Sequence, residues 1–198
     1  MSQQRATIRQ ETRRKRNSLS NNEQKIAAST LKVNFTQHLK LQKTTQNAHI
    51  GIYLSNDSEL DTSLLIKDLW SKKHTTYLPI IHPFNGTTLY FQRYEENSPM
   101  RPNRYGILEP KLNCSQICPL AELDYLLMPL VAFDDHGNRL GMGGGFYDKT
   151  LARYEKENWQ KPQLIGLAHQ CQHVENLPIE SWDVPLKFII TPQKIYHW

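Results

Sequence analysis

Five short apolar runs constrain this chain more than any other feature: HIGIYLS at 49–55, TTYLPII at 75–81, LLMPLVAF at 126–133, QLIGLA at 163–168 and FIIT at 188–191. Each has the length and content of a strand rather than a helix. Helical patterns fall among them. Asp61 can cap a helix through LLIKDLWSKK, and FYDKTLARYEKEN places Tyr147, Leu151 and Tyr154 on one inward face. Strands alternating with helices predict an α/β fold, a single domain over 1–198 with a largely parallel sheet flanked by helices. An Asn-Gly pair at 85–86 between two apolar runs predicts a hairpin, and DDHGN at 134–138 a turn. Near the start, Ser20 and Glu23 have capping-box spacing. The helix they open should run to about Leu41, with Ala27, Leu31, Phe35 and Leu39 as its buried stripe.

Charge is concentrated at one place. Residues 5–16, RATIRQETRRKR, hold six basic residues and one acidic; the remaining 18 basic and 18 acidic residues balance. On a helix over 4–17, Arg5, Arg9, Arg13 and Arg16 share one face. Such a stripe suits a solvated face, a phosphate-bearing ligand, or nucleic acid bound in a salt-sensitive way. The neutral remainder argues against nucleic acid. The longest apolar run has eight residues, far below the roughly 20 of a membrane span. Three cysteines are too few for a disulfide framework, and no basic-then-apolar leader opens the sequence, so a cytoplasmic protein is expected. His169, Cys171 and His173 alternate, which allows a zinc site or ordinary residues at a strand end.

Four of the nine glycines (Gly141, Gly143, Gly144 and Gly145) lie in RLGMGGGFYDK at 139–149, between a strand and a helix. A loop without Cβ atoms can turn successive N–H groups toward an anion, with the helix N-terminus adding its positive end. It is neither a P-loop nor a dinucleotide fingerprint. A flexible surface loop fits the same residues. Asp148, three residues on, is compatible with an ordinary acidic first turn or with a Mg²⁺ ligand beside polyphosphate.

LGMGGGFYD, together with R-x-x-I-R at the amino terminus, R-x-x-L-S-x-x-E at 16–23, IYLSNDSELDT, RYGILEP at 104–110 and a late WDVPL followed by FIIT, resembles the 5-formyltetrahydrofolate cyclo-ligase family over nearly the whole chain. The resemblance implies an enzyme that uses ATP and Mg²⁺ to close 5-formyltetrahydrofolate into 5,10-methenyltetrahydrofolate. The formyl oxygen is phosphorylated, N10 attacks, and phosphate leaves. It further implies that the basic helix packs near the active site. ATP contacts fall on Arg5, Ala6, Thr7, Ile8 and Arg9, and on Arg139, Leu140, Gly141, Met142, Gly143, Gly144, Gly145, Phe146 and Tyr147. Folate contacts fall on Arg9, Leu54, Glu59, Met142, Gly143, Gly144, Gly145 and Phe146. Arg9 and Arg139 carry the catalytic charge, and Asp148 and Asp183 the metal. Lys187 stands where the family pattern has an aspartate, and Met142 and Phe146 replace commoner residues. The implied partner is a small-molecule substrate for a monomeric protein, with neither nucleic acid nor membrane involved.

Overall fold

The computed structural model describes residues 3–44, 46–157 and 159–198. Its helices are α1 (Gln3–Asn17), α2 (Asn21–Leu41), α3 (Ser63–Ser71) and α4 (Phe146–Lys156). Its strands are β1 (His49–Gly51), β2 (Thr75–Ile81), β3 (Leu89–Tyr94), β4 (Met100–Pro102), β5 (Leu108–Pro110) and β6 (Ile117–Cys118). They continue with β7 (Tyr125–Pro129), β8 (Ala132–Phe133), β9 (Arg139–Leu140), β10 (Gln163–Leu167), β11 (Phe188–Ile190) and β12 (Ile195–His197). Eight form one sheet in the order β12-β11-β10-β7-β1-β2-β3-β6. The five strands from β11 to β2 run parallel, and antiparallel strands finish both edges. Two small ladders, β4–β5 and β8–β9, stand apart.

Both faces of the sheet are covered, as a parallel sheet requires. β7 shows it residue by residue. Leu127 packs with Leu31, Phe35, Leu65 and Leu69 beneath α2 and α3. Leu126 and Met128 turn the other way, to Leu151 of α4 with Leu164 and Ile189. The alternation is the period of two. At the start of α2, Ser20 Oγ accepts from the Glu23 N–H at 3.3 Å, and the Glu23 carboxylate accepts from Ser20 N at 2.8 Å, the expected capping box.

Two apolar runs are broken where one strand each was expected. LLMPLVAF divides at Pro129, which is opposite Leu167 in the last pair of the β7–β10 ladder. Proline has no N–H to continue a ladder. The chain turns out, and Ala132–Phe133 pair instead with Arg139–Leu140. HIGIYLS keeps strand structure only to Gly51, because Tyr53 O is taken by the Thr62 hydroxyl at 2.6 Å. HQCQH is not a strand end: residues 170–172 form a 3₁₀ turn, and no cluster of three or more metal-ligating side chains occurs among the described residues. Among those residues no helix is long and apolar enough to cross a membrane.

From β1 the chain passes through α3 to β2 on one side, and later returns to lay β7 on the other side. The carboxyl ends of β1 and β7 therefore flank a switch point, where open α/β sheets have their ligand crevice. The loops that leave there carry Glu59 and the glycine cluster.

Candidate active site at the switch point

Helix α1 lies across these loops, and its arginine face is turned inward. Arg9 Nε donates to Gly141 O at 2.8 Å, joining the helix to the glycine loop. Arg5 grips Asp183 with both terminal nitrogens, at 2.6 and 3.0 Å. Arg13 and Arg16 both hold Asp57, with Arg16 Nη2 2.6 Å from Oδ2. All four arginines of the stripe engage protein, and Arg5 and Arg16 are buried. Arg13 remains exposed while bound to Asp57.

The glycine loop runs from β9 into α4. Gly143 and Gly145 have φ of +102° and +67°, a region costly to residues with a Cβ. Residues 141–144 are exposed, so their backbone is open to a ligand. Arg139, buried beneath, spans the loop: Nη1 donates to Val184 O at 2.7 Å and Nη2 to Asp148 Oδ1 at 2.6 Å. The loop thus rests on a compact set of alternating charges from Arg5, Asp183, Arg139 and Asp148. Burial and then the neighbouring Arg5 push the Arg9 guanidinium below its ordinary pKa. Burial works against ionisation of Asp183, but the Arg5 hydrogen bond prevails and holds its carboxyl below the usual range.

Across the crevice, Glu59 leaves the loop after β1. Desolvation raises its carboxyl to about 7, against hydrogen bonding to the Asn56 N–H at 3.0 Å and the charge of Arg16. Tyr53 and Tyr147 are raised by burial first and by the nearby Glu59 second. Tyr147, far along the sequence from both, is thus brought near Tyr53 and Glu59. The β4–β5 turn forms a further wall. Tyr105 meets Phe146 edge-on at 5.9 Å, with the Arg104 guanidinium over both rings.

The expected site residues divide by what they can offer a ligand. Arg9, Glu59, Met142, Phe146 and the glycines lie on α1 and on the two loops at the switch point, Arg9 joined directly to Gly141. Ile8 and Leu140 pack in a small satellite core with Ala132 and Leu177, so only their backbone is available. Leu54 packs against the main core. Ala6 and Thr7 are on the exposed side of α1, Thr7 bonding back to Gln3 O. Of the two aspartates, Asp148 keeps Oδ2 outside its arginine contact, whereas both oxygens of Asp183 are taken by Arg5. As a donor set for a hard cation, Asp148 fits directly and Asp183 only once Arg5 lets go. Sequence reasoning singled out Arg16, His169 and RYGILEP but missed how they are placed: Arg16 on Asp57, His169 behind that pair, and Arg104 with Tyr105 as a wall. Each depends on contacts that no sequence period reveals.

Fold and site define an α/β protein that brings an exposed glycine loop and an arginine-bearing helix together at the switch point of its sheet. A profile of the 5-formyltetrahydrofolate cyclo-ligase family matches residues 1–192. The chain is 50% identical over 187 residues to the 5-formyltetrahydrofolate cyclo-ligase of Haemophilus influenzae, covering 93% of this chain and 95% of the relative. It is 50% identical over 151 residues to that of Escherichia coli K12, covering 75% and 80%. The solution structure of Aquifex aeolicus 5,10-methenyltetrahydrofolate synthetase superposes with a TM-score of 0.79 at 24% identity, over 98% of this chain and 92% of that one, and so shares the fold. This chain belongs to the 5-formyltetrahydrofolate cyclo-ligase family.

Proposed function

We propose that the protein converts 5-formyltetrahydrofolate and ATP into 5,10-methenyltetrahydrofolate, ADP and phosphate. The observation that carries this is Arg9 bound to Gly141 O, which sets a cationic helix beside an exposed glycine loop. Consecutive backbone N–H groups there suit the phosphates of ATP. Arg9 and Arg139 supply positive charge where negative charge grows on the transferring phosphoryl group.

The chemistry needs no protein nucleophile. The formyl oxygen attacks the γ-phosphorus and ADP departs. N10 then attacks the activated carbon, its proton is lost, and phosphate leaves with the formyl oxygen. Glu59 suits the paired N–H donors of the pterin ring, and holding both substrates in line is the protein's main task. Mg²⁺, when bound, neutralises phosphate charge. Asp148 would hold it, joined by Asp183 if Arg5 swings to the nucleotide.

The test is to mix purified protein with 5-formyltetrahydrofolate, ATP and Mg²⁺ and follow the methenyl chromophore and released phosphate together. One phosphate per methenyl product is expected, and no chromophore with intact protein would overturn the reading. Asp148→Asn keeps the side chain's size but removes its charge. Its turnover should fall about a hundredfold or more, with partial recovery at high Mg²⁺.

A further inference from the structure

The loop that carries Glu59 contains no glycine, yet Asp57 and Ser58 are both left-handed, with φ of +50° and +58°. Side-chain-bearing residues avoid this region, and two in succession persist only where the surroundings over-determine them. Here helix α1 does so: Arg13 holds Asp57 at both oxygens, 2.8 and 3.0 Å away, and Arg16 adds a third bond. The turn closes on itself, Glu59 N donating to Asn56 O at 2.9 Å.

Arg16 is 0% exposed, and its Nε and Nη1 have no hydrogen-bond partner among the described residues. A guanidinium buried with so few acceptors is a poor device for stability, since an apolar residue would serve as well or better. Its placement serves geometry. We infer that Arg13 and Arg16 are positioning residues that hold the left-handed Asp57–Ser58 turn and thereby aim Glu59 at the folate beside Tyr53 and Tyr147. This rests on the proposed reading that Glu59 contacts 5-formyltetrahydrofolate.

Steady-state kinetics of five variants test it: Arg13→Ala, Asp57→Ala, Asp57→Asn, Glu59→Gln, and Arg13→Ala combined with Glu59→Gln. Arg13 is partly exposed, so its removal strands no buried charge and the variant folds. Arg13→Ala should raise KM for 5-formyltetrahydrofolate about three- to tenfold, with kcat and KM for ATP within about twofold. Asp57→Ala, which strips Arg16 of its counter-charge, should do more or fail to fold. Asp57→Asn keeps an acceptor and tolerates the left-handed region, and should recover most of the affinity. Glu59→Gln should raise the same KM. Adding Arg13→Ala to it should change KM less than about twofold, because the aimed group is already gone.

If the Arg13 and Glu59 effects simply multiply, or if kcat and both KM values move together with the melting temperature, the clamp is only structural support. If Glu59→Gln raises KM and Arg13→Ala does not, the site reading stands and the positioning role falls. If Glu59→Gln leaves KM unchanged, the reading of Glu59 itself fails, and the positioning role with it.

Discussion

The two loops that face each other across the crevice solve one backbone problem by opposite means. Residues 141–145 turn left-handed at Gly143 and Gly145, where no Cβ resists. Residues 56–59 turn left-handed at Asp57 and Ser58, which do resist and are held by arginines of α1. The first loop presents bare backbone, as phosphate recognition requires. The second presents a particular side chain, Glu59, and fixes its direction. In the proposed function, glycine serves where a ligand touches the main chain, and a clamp where a side group must be aimed.

The sharpest way to break this comparison is Gly145→Val. A β-branched residue at φ +67° costs about 1–2 kcal/mol or more, which for a domain of this size lowers Tm by roughly 2–8 °C. Turnover should fall about a hundredfold or more, since the cradle's N–H groups are displaced. Thermal melts beside the coupled assay measure both, and turnover within about threefold of the parent would sink the cradle.

A smaller effect concerns pH. The Glu59 carboxyl, raised to about 7 chiefly by desolvation, is neutral in the folded protein well above the pH at which an unfolded chain would ionise it. Its contribution to stability is therefore full below about pH 4.5 and lost as pH rises toward 7. Substrate binding runs the other way, because the ionised form accepts the pterin's N–H groups. KM for 5-formyltetrahydrofolate should drop up to about tenfold between pH 6 and pH 8, and Glu59→Gln should flatten the profile. Nearby, the Arg13 hydrogen bond holds Asp57 below its ordinary range, and burial holds Tyr53 and Tyr147 above theirs, so none of the three titrates between pH 6 and pH 8. A parent profile without an inflection near 7 would remove Glu59 from the binding role.

The mildest test exchanges one solution for the other. Ser58→Gly removes the left-handed penalty while Asp57 keeps its arginines, so stability should rise by about 1 kcal/mol in denaturant unfolding. A loss of stability instead would mean that the Ser58 conformation is not strained.

What the sequence disclosed follows from which forces act locally. The Ser20–Glu23 box and the Ala27–Leu31–Phe35–Leu39 stripe are contacts within one helix, and TTYLPII is a strand over the residues its pattern suggests. The glycine cluster announced itself because only backbone geometry explains such a concentration. The Pro129 break was visible as a residue but not as an event, since only the neighbouring β10 shows where the ladder must stop. The Arg16–Asp57 pair spans 41 residues and the Arg5–Asp183 pair 178, and neither leaves a periodic trace. Legibility in this chain ends where contacts become distant.

That distance has a bearing on synthesis. Asp57 follows Arg13 and Arg16 within 44 residues, but the other partners of α1 come much later in synthesis: Gly141 lies 132 residues after Arg9, and Asp183 lies 178 after Arg5. Until Asp183 is made, Arg5 lacks its permanent mate, and long-range closures of this kind form slowly. Assembly of this wall thus waits for residue 183. A chain cut short before WDVPL can build most of its parallel sheet but not the wall that its own beginning supplies.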